Sequence, residues 1–409
     1  MKALRIGRPA AVLSVAALAL TACGNGGDSA ASSATSATSA AATTSAAAST
    51  SASASTSTSA STSTSASGSA SESSSAAAAP AAIDVPTASG TLIGSGASSQ
   101  EAAMTSWTDG VKTVSPDLQV QYSPDGSGAG REAFLAGSSS FAGSDAALKD
   151  DEKEQAKEVC GDKGAFHVPA YVSPVAVAYN VEGIDELNLD ADTVAKIFSK
   201  EITTWNDPAI AALNEGAELP DTAITVVHRS DESGTTENFT DYLAEAAPES
   251  WTWEADKKWP SEITAESAQG TKGVVSQAAQ TDGAITYTDA SGVGSLKTAK
   301  IGADGAFSEL SPEAAAKIVA ESEQNEDGSV KLDRTKTGEN TYPIVLVSYH
   351  IYCNQYPDQD TVDQVKSFAS YVISEDGQKA AQDAAGSAPI DAEMATSAKE
   401  RIDAITVAG

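Results

Sequence analysis

Three short segments of the sequence combine glycine with serine or threonine, and each lies between an apolar, strand-like run and a helix-like run. They occupy residues 94–99 (GSGASS), 126–130 (GSGAG) and 233–236 (SGTT). Glycine lets backbone N–H groups come close to a ligand, and the first turn of a helix offers N–H donors without helical partners. Serine and threonine hydroxyls add neutral donors. One such turn is a common way to begin a helix, but three in one chain predict convergence on a single anion.

A cation lies just before the third of these segments. Arg229 ends a predicted strand, and Asp231 follows two residues later. A guanidinium group can hold an oxyanion through two hydrogen bonds, and a nearby carboxylate can keep it in place. On its own, Arg229 would be interpreted as an exposed charge on an acidic surface. Its position beside Ser233-Gly234-Thr235 favours a role in anion binding.

The segment 141–145 (FAGSD) ends in a carboxylate, Asp145, that would repel most anions. An acid beside a glycine turn is usually a helix cap or part of a solvated loop. In an anion site it is favourable when the anion carries a proton, because HPO4²⁻ and H2PO4⁻ can donate a hydrogen bond to the carboxylate. Sulfate has no proton at neutral pH and would leave two acceptors facing each other, which can reject it strongly. We therefore predict that Asp145 selects for a protonated oxyanion.

Strand and helix patterns alternate along the part of the chain that carries these segments. The predicted strands are 90–94, 118–122, 175–180, 224–227, 284–288 and 344–352, and the predicted helices include 125–135, 191–200 and 237–246. Ser98 and Glu101 form an S-x-x-E pattern that predicts a capping box at the start of the first helix. The alternation predicts an α/β fold with largely parallel sheets.

The three segments, together with residues 141–145, resemble the phosphate-binding protein (PstS) family of the Pst high-affinity phosphate uptake system. The resemblance covers about residues 90–390 and includes weaker landmarks at 200–206 (KEITTWN), 283–287 (GAITY) and 342–344 (YPI). It implies phosphate contacts at Ser98, Ser99, Ser127, Asp145, Arg229, Ser233, Gly234 and Thr235, with Asp231 supporting the arginine. Glu232 stands where the family usually has glycine, and its effect on the site is left open.

The resemblance also implies a fold of two α/β lobes, joined by a hinge, with the ligand in the cleft between them as in periplasmic binding proteins. Lobe I would combine residues 87–175 and 289–409, and lobe II would comprise residues 176–288. The first two segments and Asp145 would then come from lobe I, and Arg229 with the third segment from lobe II. Closure of the lobes would assemble one ligand shell from both sides.

The N-terminus has the pattern of an export signal. Lys2, Arg5 and Arg8 precede an apolar run at residues 10–20, which is too short to span a bilayer. The following sequence LTAC resembles the lipobox of bacterial lipoproteins. It implies a signal peptide at residues 1–22, cleavage before Cys23 and acylation of that thiol. We therefore expect an extracytoplasmic protein that is anchored to the cell membrane by lipid.

A stretch of serine, alanine and threonine separates this cysteine from the folded part. Residues 23–86 contain too few apolar side chains to offset the entropy lost on ordering, so we predict a disordered linker. Two further cysteines, Cys160 and Cys353, are expected to form a disulfide in an extracytoplasmic chain, and two separate thiols are the alternative.

The charge of the chain limits its partners. A formal net charge of −31 repels nucleic acid and anionic membrane surfaces, so neither is an expected partner. Net charge cannot attract an anionic ligand either, so capture must depend on local geometry. The expected partners are inorganic phosphate, the membrane permease subunits of a phosphate ABC transporter, and the membrane through the N-terminal lipid.

The function expected from these features is capture of inorganic phosphate for an ABC importer, without catalysis, cofactor or metal. One alternative is a cell-surface phosphate-ester hydrolase with Ser127 or Ser233 as nucleophile. It would need a base from three scattered histidines, and no Gly-x-Ser-x-Gly motif surrounds Ser233. A second alternative is a binding protein for another oxyanion, and a third is a structural lipoprotein whose loops are only helix caps.

Overall fold

The structure is a computed structural model that describes residues 83–336, 338 and 340–409. The predicted signal peptide (1–22), Cys23 and the linker up to residue 82 lie outside the described residues. Ile83 and Val85 belong to the predicted linker, but both pack partly buried against the core. The packed part of the chain therefore begins before residue 87, where the sequence places it.

Strands and helices alternate through most of the described chain, as predicted for an α/β fold. The strands are β1 Gly90–Gly96, β2 Leu118–Ser123, β3 Phe141–Ser144, β4 Ala165–Asn180, β5 Asn188–Leu189, β6 Thr225–Arg229, β7 Glu266–Ala268, β8 Ala284–Asp289, β9 Lys297–Thr298, β10 Lys300–Ala303, β11 Ala306–Ser308, β12 Glu323–Gln324, β13 Val330–Lys331, β14 Val345–Cys353, β15 Gln355–Tyr356 and β16 Thr406–Val407.

The helices lie between these strands and in the C-terminal part of the chain. They are α1 Glu101–Gly110, α2 Ser127–Leu135, α3 Asp150–Cys160, α4 Ala191–Phe198, α5 Pro208–Leu213, α6 Gly234–Ala246, α7 Gly270–Ala279, α8 Pro312–Ala320, α9 Gln359–Ile373, α10 Glu375–Ala385 and α11 Ala392–Asp403. Short 3-10 turns occupy Ser98–Gln100, Val111–Thr113 and Ala290–Gly292. None of the helices in the described part of the chain is both long and apolar enough to cross a membrane.

Nine strands form the central sheet in the order β2-β1-β3-β14-β4-β8-β6-β7, with β9 also paired to β4. The long strand β4 joins two halves of this sheet. Its first part pairs with β14 up to Pro174, and its second part pairs with β8 from Val175 onward. The change of partner lies next to the lobe boundary that the sequence predicts at residues 175–176, and the division into lobes stays a prediction.

The expectation of largely parallel sheets holds only within each half. The pairs β1–β2, β1–β3, β6–β7 and β6–β8 are parallel, whereas β14 and β4 are antiparallel to their neighbours. Strand β4 crosses from one half of the sheet to the other. Its partners in both halves, β14 in the first and β8 and β9 in the second, run antiparallel to it. Strand β9 pairs with β4, and β10 pairs with β5. These contacts attach residues 297–303 to the half that contains residues 176–288. The predicted boundary, in contrast, assigns residues 297–303 to lobe I.

The core lies on both faces of the two central strands. Every residue of β14 is buried, as are all residues of β4 except the first and the last. Tyr171 of β4, together with Trp107 and Phe141, is among the largest fully buried side chains. A disulfide joins Cys160, at the end of α3, to Cys353, at the end of β14. It therefore ties the helix layer to the centre of the sheet.

Candidate functional site

The three Gly-Ser/Thr segments meet at one place in the structure. They lie where the chain passes from β1, β2 and β6 into α1, α2 and α6, at the carboxyl ends of the strands, where ligands of open α/β sheets bind. The N–H of Gly128 donates to the carbonyl of Glu232 (3.0 Å), which joins the second segment to the third. The Nη2 of Arg229 donates to the hydroxyl of Ser98 (3.0 Å), which joins the third to the first.

This close approach depends on glycine at two positions. A Cβ at Gly234 would lie 2.5 Å from the Oγ of Ser127 and 2.9 Å from the Cβ of Asp145, so no side chain fits there. Gly126 has a φ of +106° just before α2, a backbone conformation that residues other than glycine rarely adopt. Both glycines let two helix N-termini approach the same point.

Helix N-termini supply part of the donor set. The hydroxyl of Ser233 caps α6 by accepting from the N–H of Thr236 (3.2 Å). The N–H groups of Gly234 and Thr235, in the first turn, have no partner within the helix. The hydroxyl of Ser127 stands at the start of α2 and accepts from the N–H of Asp145 (3.2 Å). The positive ends of two helix dipoles therefore point to the meeting place of the segments.

Arg229 is the cation of the site, and it is only 4% exposed. Its Nε and Nη2 donate to the two carboxylate oxygens of Asp231 at 2.8 and 2.5 Å. Burial acts to raise the pKa of Asp231, but the hydrogen bonds and charge of Arg229, with the N–H of Gly270, lower it overall. Asp231 is thus ionised and fixes the guanidinium plane. No hydrogen bond within the described residues uses the remaining nitrogen, Nη1.

Asp145 is the buried carboxylate of the site, at 2% exposure directly after β3. Its oxygens accept hydrogen bonds from the hydroxyls of Ser99 (2.7 and 2.8 Å), Thr235 (3.0 Å) and Ser348 (2.7 Å). Burial raises its pKa, against the opposing effect of these hydroxyls and of Arg229. A carboxylate offers about four acceptor positions. Because three hydroxyls carry three protons, one position remains for a proton from elsewhere.

Comparison with known proteins gives the family. Residues 29–376 match the family model of the PBP superfamily domain. Phosphate-binding protein PstS 3 of Mycobacterium leprae is 37% identical over 292 residues, covering 69% of this chain and 79% of the relative. PstS3 of Mycobacterium bovis (strain BCG / Pasteur 1173P2) is 38% identical over 293 residues, covering 69% and 78%. The chain belongs to the PstS family.

A solved structure of similar fold supports the architecture of this PstS family member. The structure of a high affinity periplasmic phosphate-binding protein (PfluDING) bound with phosphate superposes with a TM-score of 0.62 at 23% identity, covering 76% of this chain and 93% of the other. The two-lobed periplasmic-binding-protein fold that the sequence predicts is confirmed.

Glu232, whose effect the sequence leaves open, forms ion pairs with two lysines. Its two carboxylate oxygens each lie 2.7 Å from a lysine, Lys257 and Lys258. Burial acts to raise the pKa of Glu232, but these two lysines outweigh it and lower the pKa. The charge of this extra carboxylate in the PstS family member is therefore balanced by two cations beside it.

The predicted capping box at Ser98 and Glu101 is wrong. Residues Ser98–Gln100 form a 3-10 turn, and no side chain caps it or the helix α1 that follows. The hydroxyl of Ser98 instead accepts from Arg229 and from the N–H of Thr271 (3.1 Å). These donors from the other half of the sheet use the oxygen that would otherwise cap the helix.

Two further parts of the site were not predicted from the sequence. Gly270 and Thr271 begin α7 directly after β7, and they contact Asp231 and Ser98. They form a fourth glycine and threonine turn between strand and helix, so the same pattern could have found them. Ser348 lies in β14, at a register shift between residues 348 and 349. Such irregularities redirect side chains, and this one lies where a hydroxyl reaches Asp145.

The histidines do not support a hydrolase. His228 stacks on the indole of Trp259, with ring centroids 5.1 Å apart. His167 and His350 are fully buried, where Leu148 and Gln100 are among their hydrogen-bond partners. Within the described residues, no ring nitrogen is hydrogen-bonded to either candidate serine nucleophile.

Proposed function

We propose that this chain captures inorganic phosphate outside the cytoplasm and delivers it to the membrane permease of a phosphate ABC transporter. Its relatives carry the name phosphate-binding protein PstS, and the similar solved structure holds phosphate. The single observation that supports this best is the meeting of one buried carboxylate, Asp145, with one buried guanidinium, Arg229, among hydroxyl and N–H donors.

The donors of the site suit a tetrahedral oxyanion. Arg229 contributes the guanidinium nitrogen that no described residue engages, and the N-termini of α2 and α6 contribute N–H groups. The hydroxyls of Ser98, beside Arg229, and of Ser127, beside Asp145, add two neutral donors. Such donors, already oriented before the ligand arrives, replace the water that a divalent anion loses on entering a closed cleft. Ser99, Ser233, Gly234 and Thr235 stay proposed phosphate contacts. Because the hydroxyls of Ser99 and Thr235 donate to Asp145, these two residues would contact phosphate through their backbone N–H groups.

Selection between anions would rest on Asp145. Phosphate can place a P–OH group on the free acceptor position of the carboxylate. Sulfate at neutral pH has no such proton, so its oxygen would face the carboxylate without a hydrogen bond and in a buried place. An unpaired, repelled group of this kind is a strong basis for rejection. Arsenate carries a proton like phosphate and would be accepted.

The chain acts in this proposal as a binder without catalytic activity. The PstS family consists of substrate-binding proteins, and the hydrogen bonds of the three histidines give neither serine a base. Acylation at Cys23 would hold the protein at the outer face of the membrane, and residues 24–82 would serve as the tether that lets it reach the permease.

Equilibrium dialysis with radiolabelled phosphate tests the proposal on the purified full chain. We expect saturable binding of one phosphate per chain, competition by arsenate and none by equimolar sulfate. A parallel assay with phosphate esters should release no phosphate. Absence of saturable phosphate binding would refute the binding function, and ester hydrolysis that is lost in Ser233→Ala would favour the hydrolase.

A further inference from the structure

We propose that two buried arginines hold helix α6 against the first half of the sheet, and that this contact determines how long the closed protein retains phosphate. We call it the α6 clasp. The inference rests on the proposed function, but its residues lie outside the predicted phosphate contacts. The clasp consists of Arg131, Arg334, Glu237, Asn238, Asp241 and Glu245.

One face of α6 presents the acidic side of the clasp. Glu237, Asp241 and Glu245 are spaced by four residues, so they lie on the same side of the helix, and Asn238 lies beside them. The helix begins at Gly234, in the third anion-binding segment. Any movement of this face away from its partners therefore moves the N-terminus that is proposed to bind phosphate.

Arg131 forms an ion pair with the first turn of α6. It lies on α2 with no exposed surface, and its Nη2 is 3.2 Å from a carboxylate oxygen of Glu237. Its Nε is 3.2 Å from Glu152, and its Nη1 donates to the hydroxyl of Ser144 (3.2 Å). Only one of these three partners belongs to α6. Separation of α6 would leave this buried cation with a reduced set of acceptors.

Arg334 binds side chains in the next turn of α6, Asn238 and Asp241. It is 3% exposed, and its Nε donates to Asp241 (2.9 Å) while its Nη2 donates to the side-chain oxygen of Asn238 (2.5 Å). Its Nη1 donates to the carbonyl of Val345 in β14. The amide nitrogen of Asn238 in turn donates to the carbonyl of Asp145 (2.7 Å). The chain of contacts from Arg334 through Asn238 therefore ends at the carboxylate residue that is proposed to select phosphate.

The energetic consequence follows from burial. Removing one partner from a buried, hydrogen-bonded charge costs far more than breaking an exposed ion pair, because the remaining charge is left without water. Both arginines would suffer this loss if α6 moved away with the second half of the sheet. The clasp therefore stabilises the closed arrangement and slows release of the ligand, while the phosphate contacts themselves stay as they are.

The two ion pairs of the α6 clasp differ in their exposure to solvent. A cavity of about 400 Å³ lies beside α6, and its lining includes Glu237, Asp241 and Arg334. The side chain of Asp241 is 38% exposed, whereas that of Glu237 is 14% exposed. Salt should therefore weaken the contact of Arg334 with Asp241 more than the contact of Arg131 with Glu237, because exposed charges are screened more than buried ones.

Two near-isosteric variants test the clasp in the full chain. Glu237→Gln and Asp241→Asn each remove one charge that holds an arginine. Stopped-flow measurements should show phosphate dissociating on the order of tenfold faster in each, with the association rate and the rejection of sulfate unchanged. Asp241→Glu keeps the charge and should restore most of the wild-type dissociation rate.

The matched control is Asp383→Asn, which breaks an exposed ion pair with Lys379 within helix α10. It should leave both rates as in the wild type, and thermal melting of each variant checks that it is folded. If wild type binds phosphate and both clasp variants release it at the wild-type rate, the clasp is overturned and the proposed function stands. If wild type binds no phosphate, both proposals fall.

Discussion

At the scale of single residues, the site depends on a carboxylate that faces an anion. Asp145 is buried, accepts three hydroxyl protons and retains one acceptor position, while Arg229 supplies the compensating charge. The roles of both residues, and those of the neighbouring Gly-Ser/Thr segments, could be predicted from the sequence. The partner Ser348 could not, because it is 203 positions away and is brought in by pairing of β14 with β3.

Replacing Arg229 by alanine should weaken phosphate binding by about 2–4 kcal/mol, because a buried charge-assisted contact is lost. The loss also leaves Asp231 without its partner beside the anion. Isothermal titration calorimetry with phosphate measures the change. Arg229→Lys is the control, since lysine keeps the charge but lacks the planar pair of donors. Its affinity for phosphate should lie between that of the wild type and that of Arg229→Ala. An affinity of Arg229→Ala within twofold of wild type would contradict the role.

A second buried carboxylate makes stability depend on pH. Asp289 is fully buried with one oxygen unpartnered within the described residues, and burial raises its pKa from 3.8 to about 6. The folded protein therefore binds a proton more readily than the unfolded chain, so the stability contributed by protonated Asp289 is present below about pH 4 and is lost as pH rises through about 6.

Asp289→Asn should consequently raise the free energy of unfolding at pH 7.5 by on the order of 2–3 kcal/mol, with little effect at pH 4. Asparagine keeps the oxygen that accepts from Ser291. Urea denaturation at the two pH values measures the difference between variant and wild type. An equal effect at both values would show that the charge of Asp289 is not the cause.

At the scale of elements, the sequence predicts which segments carry the site but not how the strands pair. The strand predicted at 175–180 begins at Ala165 in the structure and runs through Pro169 and Pro174, although proline cannot donate a hydrogen bond to a neighbouring strand. Pro169 pairs with Tyr349 at the register shift of β14, and Pro174 pairs with Val345 at the point where β4 changes its partner. Glycine and hydroxyl patterns are local and could be identified, whereas antiparallel pairing of β4 with two partners depends on contacts distant in sequence.

The disulfide between α3 and β14 should contribute to stability at this scale. It links residues 193 positions apart, and closing so long a loop restricts the unfolded chain. Replacing both Cys160 and Cys353 by serine should lower the free energy of unfolding by about 2–5 kcal/mol. Thermal melting under oxidising conditions checks this. Addition of reductant to the wild type should reproduce the loss, and an unchanged midpoint in the double variant would contradict it.

At the scale of the whole molecule, an anion approaches a protein with a formal net charge of −31. Long-range repulsion must slow that approach, whatever the donors do at short range. Raising the salt concentration from about 10 mM to about 150 mM shortens the screening length from about 30 Å to about 8 Å. The association rate of phosphate should therefore rise with salt by about two- to fivefold.

Stopped-flow association over that salt range measures the effect, with sodium chloride and potassium chloride compared as controls for specific ions. Both should give the same increase. A rate that falls with salt would mean that local cations around the site outweigh the acidity of the molecule.

The most direct measurement compares sulfate binding by wild type and Asp145→Asn in calorimetric titrations at pH 7.5. The amide replaces a charged acceptor by a group that can donate, so we expect detectable sulfate binding only in the variant, with phosphate retained at reduced affinity. Sulfate rejected equally by both proteins would contradict the claim that a buried carboxylate selects the protonated oxyanion.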